Sequence, residues 1–138
     1  MQEQEKYMKE ALKEAKKAYE KLEIPVGAII VKDGKIIARA HNQKETKFDT
    51  TKHAEILAIQ KASKKLKSWR LLDCEMYVTL EPCDMCKEII KQSRIDNVYY
   101  LVNSNFKKVN TYNTNYKKLE IDNNFFNEII NNFFSNKR

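Results

Sequence analysis

The feature that most narrows the fold is the stretch from residue 76 to residue 93, where the strand-like run MYVTL passes through EPCDMC directly into the helical MCKEIIKQS. Valine, threonine and tyrosine favour the extended chain in the first part, and apolar positions recur at helical spacing in the second. A strand that runs straight into a helix belongs to layered α/β architecture. Cys83 and Cys86 stand three apart at the start of that helix, so both thiols share one face and feel the positive end of the helix dipole. Such a pair favours thiolates. Thiolates serve either metal binding or redox exchange, and the spacing alone leaves both open.

The rest of the chain alternates helix with strand around this unit. Met8, Leu12, Ala15, Tyr19 and Leu22 recur at spacings of three and four, which predicts an amphipathic helix ending before Pro25. VGAIIV, KDG and KIIARAHN follow as strand, Asp33-Gly34 turn and strand, a hairpin. From His53 to about Leu66 the residues Ile56, Leu57, Ile59, Ala62 and Leu66 predict a second helix, whose first turn contains HAE. NVYYLV is a further strand. Residues 103–118 are dominated by Asn, Lys and Tyr without a period and are expected to be a variable loop, LEI (residues 119–121) is a candidate short strand, and residues 123–138 form an amphipathic C-terminal helix. The chain of 138 residues fits a single domain, 1–138, with one core. The expected fold class is α/β, with the hairpin giving an antiparallel edge to an otherwise parallel sheet. Cys74, Trp69 and Tyr77 are expected in the core.

HAE bears on the choice left open by the cysteines. A neutral imidazole with two thiolates is a recurrent catalytic zinc set that leaves the fourth tetrahedral position for water. His53 and Glu55 are two apart, so on a regular helix they point to nearly opposite sides. The metal must therefore sit off the N-terminal end of the helix, and the same holds for Cys83 and Cys86, so two helix starts are expected to meet over one ion. Zinc with two thiolates and a neutral histidine sums to zero charge. Ionising a water there calls for a base, and Glu55 is the group available.

HAE followed about thirty residues later by PCDMC resembles the H-x-E…P-C-x-x-C signature of the zinc nucleobase deaminases, the cytidine/deoxycytidylate deaminase superfamily, for which the chemistry is a known template. Within it, PVGAIIVKDGKIIARAHN, HAEILAI, SWRLLDCEMYVTLEPCDMC and QSRIDNVYY are similar to segments of the bacterial tRNA-specific adenosine deaminases of TadA type, over residues from about 25 to 100. That resemblance implies a cytidine-deaminase-like three-layer αβα sandwich with a mixed central sheet of about five strands. It also implies one zinc ion held by His53, Cys83 and Cys86, with Glu55 as the catalytic acid/base. Asn42 would contact the base, Val26, Gly27 and Ala28 would line its pocket, and Phe133, Phe134, Lys137 and Arg138 would meet RNA. The implied reaction converts the wobble adenosine of a tRNA anticodon to inosine, in a homodimer that binds the anticodon stem-loop. Departures from the family pattern are Lys52 before the zinc histidine, Lys87 and Glu88 after the second cysteine, and Leu101, Ser104 and the Asn/Lys-rich run after the last clear strand.

Charge accords with an RNA partner or, equally, with a generic basic surface: 26 Lys and Arg exceed 19 Asp and Glu, for a net charge of +7. No apolar run approaches the roughly 20 residues of a membrane helix, and the start MQEQEKYMKE lacks a secretory h-region. A cytoplasmic protein with reduced thiols and no membrane association is therefore expected. Two other functions fit the motifs: a zinc deaminase of a free base or nucleoside of guanine or cytosine type, and a non-catalytic RNA-binding subunit with structural zinc.

Overall fold

The computed structural model describes residues 2–104 and 114–136. Among them the order is α1 (Gln2–Glu20), β1 (Gly27–Lys32), β2 (Lys35–His41), α2 (Ala54–Leu66), β3 (Cys74–Leu80), α3 (Asp84–Gln92), β4 (Asn97–Val102), β5 (Asn115–Lys118) and α4 (Asn124–Asn136). The strands form one mixed sheet in the order β2-β1-β3-β4-β5. β1 pairs antiparallel with both β2 and β3, and β3, β4 and β5 run parallel. The hairpin is closed by Asp33 and Gly34, both with positive φ (52° and 74°), the combination a two-residue type I′ turn requires.

Alternation along the strands sorts side chains into two layers. Ala28, Ile30, Met76, Val78 and Val98 pack with Ala54, Ala58, Ala62 and Ile90 beneath α2 and α3. Ile29, Val31, Tyr77, Tyr99 and Leu101 pack on the other side with Tyr7, Met8 and Ala11 of α1, and α4 joins that layer through Phe126 and Ile130 against Ala15. The result is the expected αβα sandwich. α1 lies unusually close to β1, because a side-chain carbon on Gly27 would fall 2.1 Å from the Ala11 carbonyl oxygen and 2.4 Å from the Ala15 nitrogen.

Two expectations need correcting. Trp69 is not in the core but 54% exposed, covered by the guanidinium groups of Arg70 and Arg94, 4.3 and 5.3 Å from its ring centroid. The last strand lies at Asn115–Lys118, inside the segment read as a loop and ahead of LEI. Its own sequence, NYKK, carries only one apolar residue, so pairing with β4 creates it: Asn115 N–H donates to the Asp96 carbonyl, Leu119 N–H to that of Tyr100, and the Thr114 hydroxyl to that of Ile95.

Candidate metal centre and active site

Both helix starts that the sequence brings into question are extended residues whose side chains leave the helix uncapped. His53 is the N-cap of α2 (φ −78°, ψ 148°) and Cys83 that of α3 (φ −73°, ψ 173°), and neither side chain makes a capping hydrogen bond. A histidine or cysteine at such a position forgoes the capping that Ser, Thr, Asp or Asn would supply. For α2 the cap comes from elsewhere in the chain: Asn42, just after β2, accepts the Ala54 N–H on its side-chain oxygen at 2.8 Å.

With capping delegated, the three donors converge. His53 Nδ1 lies 3.9 Å from Cys83 Sγ and 3.6 Å from Cys86 Sγ, and all three ligand atoms fall within 4.8 Å of one another. A tetrahedral zinc with Zn–S near 2.3 Å and Zn–N near 2.0–2.1 Å needs N···S separations of about 3.6 Å and S···S of about 3.8 Å. The donor set fits zinc in kind and in spacing, with Nδ1 as the ligating nitrogen.

Electrostatics agree. The hydrogen bond from Cys86, with the neighbouring imidazole, holds the Cys83 thiol well below its ordinary value. The same bond and burial push Cys86 up, so one proton stays between two sulfurs where a divalent cation can replace it. The His53 imidazole is raised, chiefly by the Cys83 sulfur, while the nearby charge of Lys44 works against it. Glu55, in the first turn of α2, is only 4% exposed. Burial pushes its carboxyl up to about 7, against the opposing influence of a backbone hydrogen bond and of His53.

Beside these residues lies a cluster that the sequence did not disclose. Lys87, 7% exposed, turns its ammonium inward to Glu81 at 3.0 Å and over the Tyr116 ring at 5.1 Å. The other Glu81 oxygen accepts the Ser104 N–H at 3.2 Å. Among the described residues the buried Tyr116 hydroxyl has no hydrogen-bond partner, and its proton is held on chiefly by burial. Lys87 was visible only as a departure from a family pattern, and Tyr116 sat in a segment without periodicity.

The remaining candidates divide. Val26 and Ala28 are buried, and Asn42 N–H donates to the Val26 carbonyl at 3.1 Å, so Val26 flanks the Asn42 end of the site. Gly27 turns its side-chain position toward α1, and its N–H donates to Thr79 Oγ1. In α4, Phe133 is buried and Phe134 is 46% exposed, the two rings meeting edge to face at 5.4 Å. Lys137 and Arg138 lie outside the described residues.

An αβα sandwich with two helix starts closing on a His-Cys-Cys set defines a zinc-site deaminase. Consistent with that, the chain belongs to the cytidine and deoxycytidylate deaminase family, whose zinc-binding region matches residues 1–102. It is similar to the tRNA-specific adenosine deaminase of Bacillus subtilis (strain 168), 53% identical over 100 residues, which cover 72% of this chain and 62% of that protein. The chain thus spans less than two thirds of the length of that relative. Among solved structures, one from a study of A-to-I editing by tRNA:A34 deaminases at the wobble position superposes with TM-score 0.70 at 44% identity, covering 71% of each chain. A guanine deaminase from Bacillus subtilis superposes with TM-score 0.68 at 42% identity, covering 72% of this chain and 64% of the other.

Proposed function

We propose that this chain deaminates the wobble adenosine of a tRNA anticodon to inosine, consuming water and releasing ammonia. The single observation that carries a hydrolytic reaction is the burial of Glu55 beside the His53-Cys83-Cys86 set, because a structural zinc site has no use for a carboxyl sealed beside its ligands. The choice of adenosine in tRNA rests on the similarity to tRNA-specific deaminases.

Zinc, when bound, supplies a Lewis acid that brings the acidity of water near neutral pH. Glu55, poised near 7, accepts the proton of the water that attacks C6 of adenine and returns it to N1. The same carboxyl then takes the remaining proton of the added hydroxyl and carries it to the exocyclic amine, which leaves as ammonia while C6 keeps the oxygen as a carbonyl. Asn42 spends its carbonyl on Ala54, so its amide N–H2 is the group left to hold the base. Val26 and Ala28 line the pocket, and Gly27 contributes by bringing α1 close behind it. Phe134, with Lys137 and Arg138, is assigned to RNA contact, and the working unit is a cytoplasmic homodimer. Phe133 serves packing.

The similarity to a guanine deaminase supports a second reading, hydrolysis of a free purine base. Incubating zinc-loaded protein with an anticodon stem-loop carrying a wobble adenosine, and separately with guanine, adenosine and cytidine, decides between them. Inosine in the stem-loop alone is the expected result; ammonia from guanine without inosine in the RNA overturns it.

A further inference from the structure

The chain between Asn42 and His53, two residues of the site, is a closed loop. Its base is fastened by the hydrogen bond from Gln43 N–H to the Lys52 carbonyl at 2.9 Å, so whatever the loop carries is held beside the base-binding end of the site. Its interior is pinned by Glu23, a buried carboxylate that accepts the N–H of Glu45 and both the N–H and hydroxyl of Thr46. Asp49 is turned back onto Thr51, accepting its N–H and hydroxyl, and Asp49 N–H donates to the Lys44 carbonyl at 3.0 Å. The loop is thus tied from within by its own hydrogen bonds. Within it Phe48 is 94% exposed and has a φ of 53°.

Phe48 therefore costs the protein twice and returns nothing to the fold. A bulky side chain in the left-handed region is strained where glycine or asparagine would not be, and an aromatic ring left in water gives up its burial. Lys44, Lys47 and Lys52 belong to the same loop, and the charge of Lys44 reaches His53. An exposed aromatic ring among lysines is the combination that binds single-stranded nucleic acid: the ring stacks on a base, the ammonium groups meet phosphates. From Asn42 to Phe48 is six residues, at most about 20 Å of chain, so the ring stands within reach of a strand whose target base sits in the pocket.

We propose that Phe48 is a stacking platform for a nucleobase flanking the deaminated one, with Lys44, Lys47 and Lys52 on the adjoining phosphates. This rests on the reading of an RNA substrate given above. The test uses the zinc-loaded protein and the wobble-adenosine stem-loop. Phe48→Ala should raise KM about tenfold and leave kcat within about twofold, as expected for loss of one base-stacking contact. Phe48→Trp should keep the KM of the unaltered protein. Phe48→Asn, which relieves the backbone strain, should unfold at the same or a higher temperature and yet show the raised KM. Unchanged KM in Phe48→Ala and Phe48→Asn overturns the platform, as does a raised KM accompanied by dissociation in sedimentation, which assigns the ring to a contact between copies of the chain. If the unaltered protein neither binds nor deaminates the stem-loop, the RNA reading fails and the platform with it; if it does both and the Phe48 variants match it, the platform alone fails.

Discussion

The side-chain oxygen of Asn42 accepts the backbone N–H of Ala54 at 2.8 Å, so the exit of β2 caps the helix that begins beside His53. One side chain both frees the histidine from capping and fixes where it stands. Asn42→Ala should lose the cap and strand a buried donor, lowering stability by about 2 kcal/mol. Asn42→Asp retains the acceptor and should unfold near the denaturant midpoint of the unaltered protein, while its turnover falls because the amide donor is gone. Urea unfolding alongside ammonia release separates the two roles, and equal turnover in Asn42→Asp would remove Asn42 from base binding.

Glu55 is buried with its carboxyl pushed up to about 7, next to ligands that do not need it for metal binding. Glu55→Gln should keep about one zinc per chain by metal analysis while kcat drops by about 10²- to 10⁴-fold, the range for loss of a positioned acid/base. A variant that loses its metal along with its activity would make the residue structural.

Gly27 leaves no room for a methyl group, since the atoms in the way are backbone atoms of α1, which cannot rotate aside. Gly27→Ala should destabilise by about 3 kcal/mol through overpacking, lowering the thermal midpoint by roughly 10 °C for a chain of this size. Calorimetry on the zinc-loaded protein reads this, and a shift of only a degree or two would mean that α1 moves freely over the sheet.

Glu14 is buried between His41 Nδ1 at 3.0 Å and Lys17 Nζ at 2.9 Å, contacts that hold its carboxyl down at about 2 against an ordinary 4.5. Because the folded value lies below the unfolded one, the ion-pair stability is present above about pH 4.5 and is lost as pH falls toward 2. Its size is on the order of 2–3 kcal/mol. Glu14→Gln should therefore be less stable than the unaltered protein at pH 7 and approach it at pH 3, by urea unfolding at the two values. A constant gap across that range would show that the contribution is packing rather than charge.

How far the chain could be read from its letters depended on whether the determinants were local. The hairpin was legible because Asp33 and Gly34 suit a turn that needs two positive φ values, and the metal site because two residues apart on one helix can serve one ion only from beyond its end. β5 was not legible, since Asn115–Lys118 has no pattern of its own and becomes a strand only through β4. Trp69 failed for a related reason: arginines from two separate segments, Arg70 and Arg94, shelter its ring at the surface. The inward turn of Lys87 depends on Glu81 and Tyr116, partners that spacing along the chain does not pair.

Glu81 binds Lys87 through one oxygen and the Ser104 N–H through the other, two residues ahead of the first metal-ligating sulfur. The polypeptide leaving β4 is thus moored to the thiol-bearing turn before its composition shifts to Asn and Lys. Changes in sequence beyond Ser104 start from this anchorage and need not be transmitted to the sulfurs of Cys83 and Cys86.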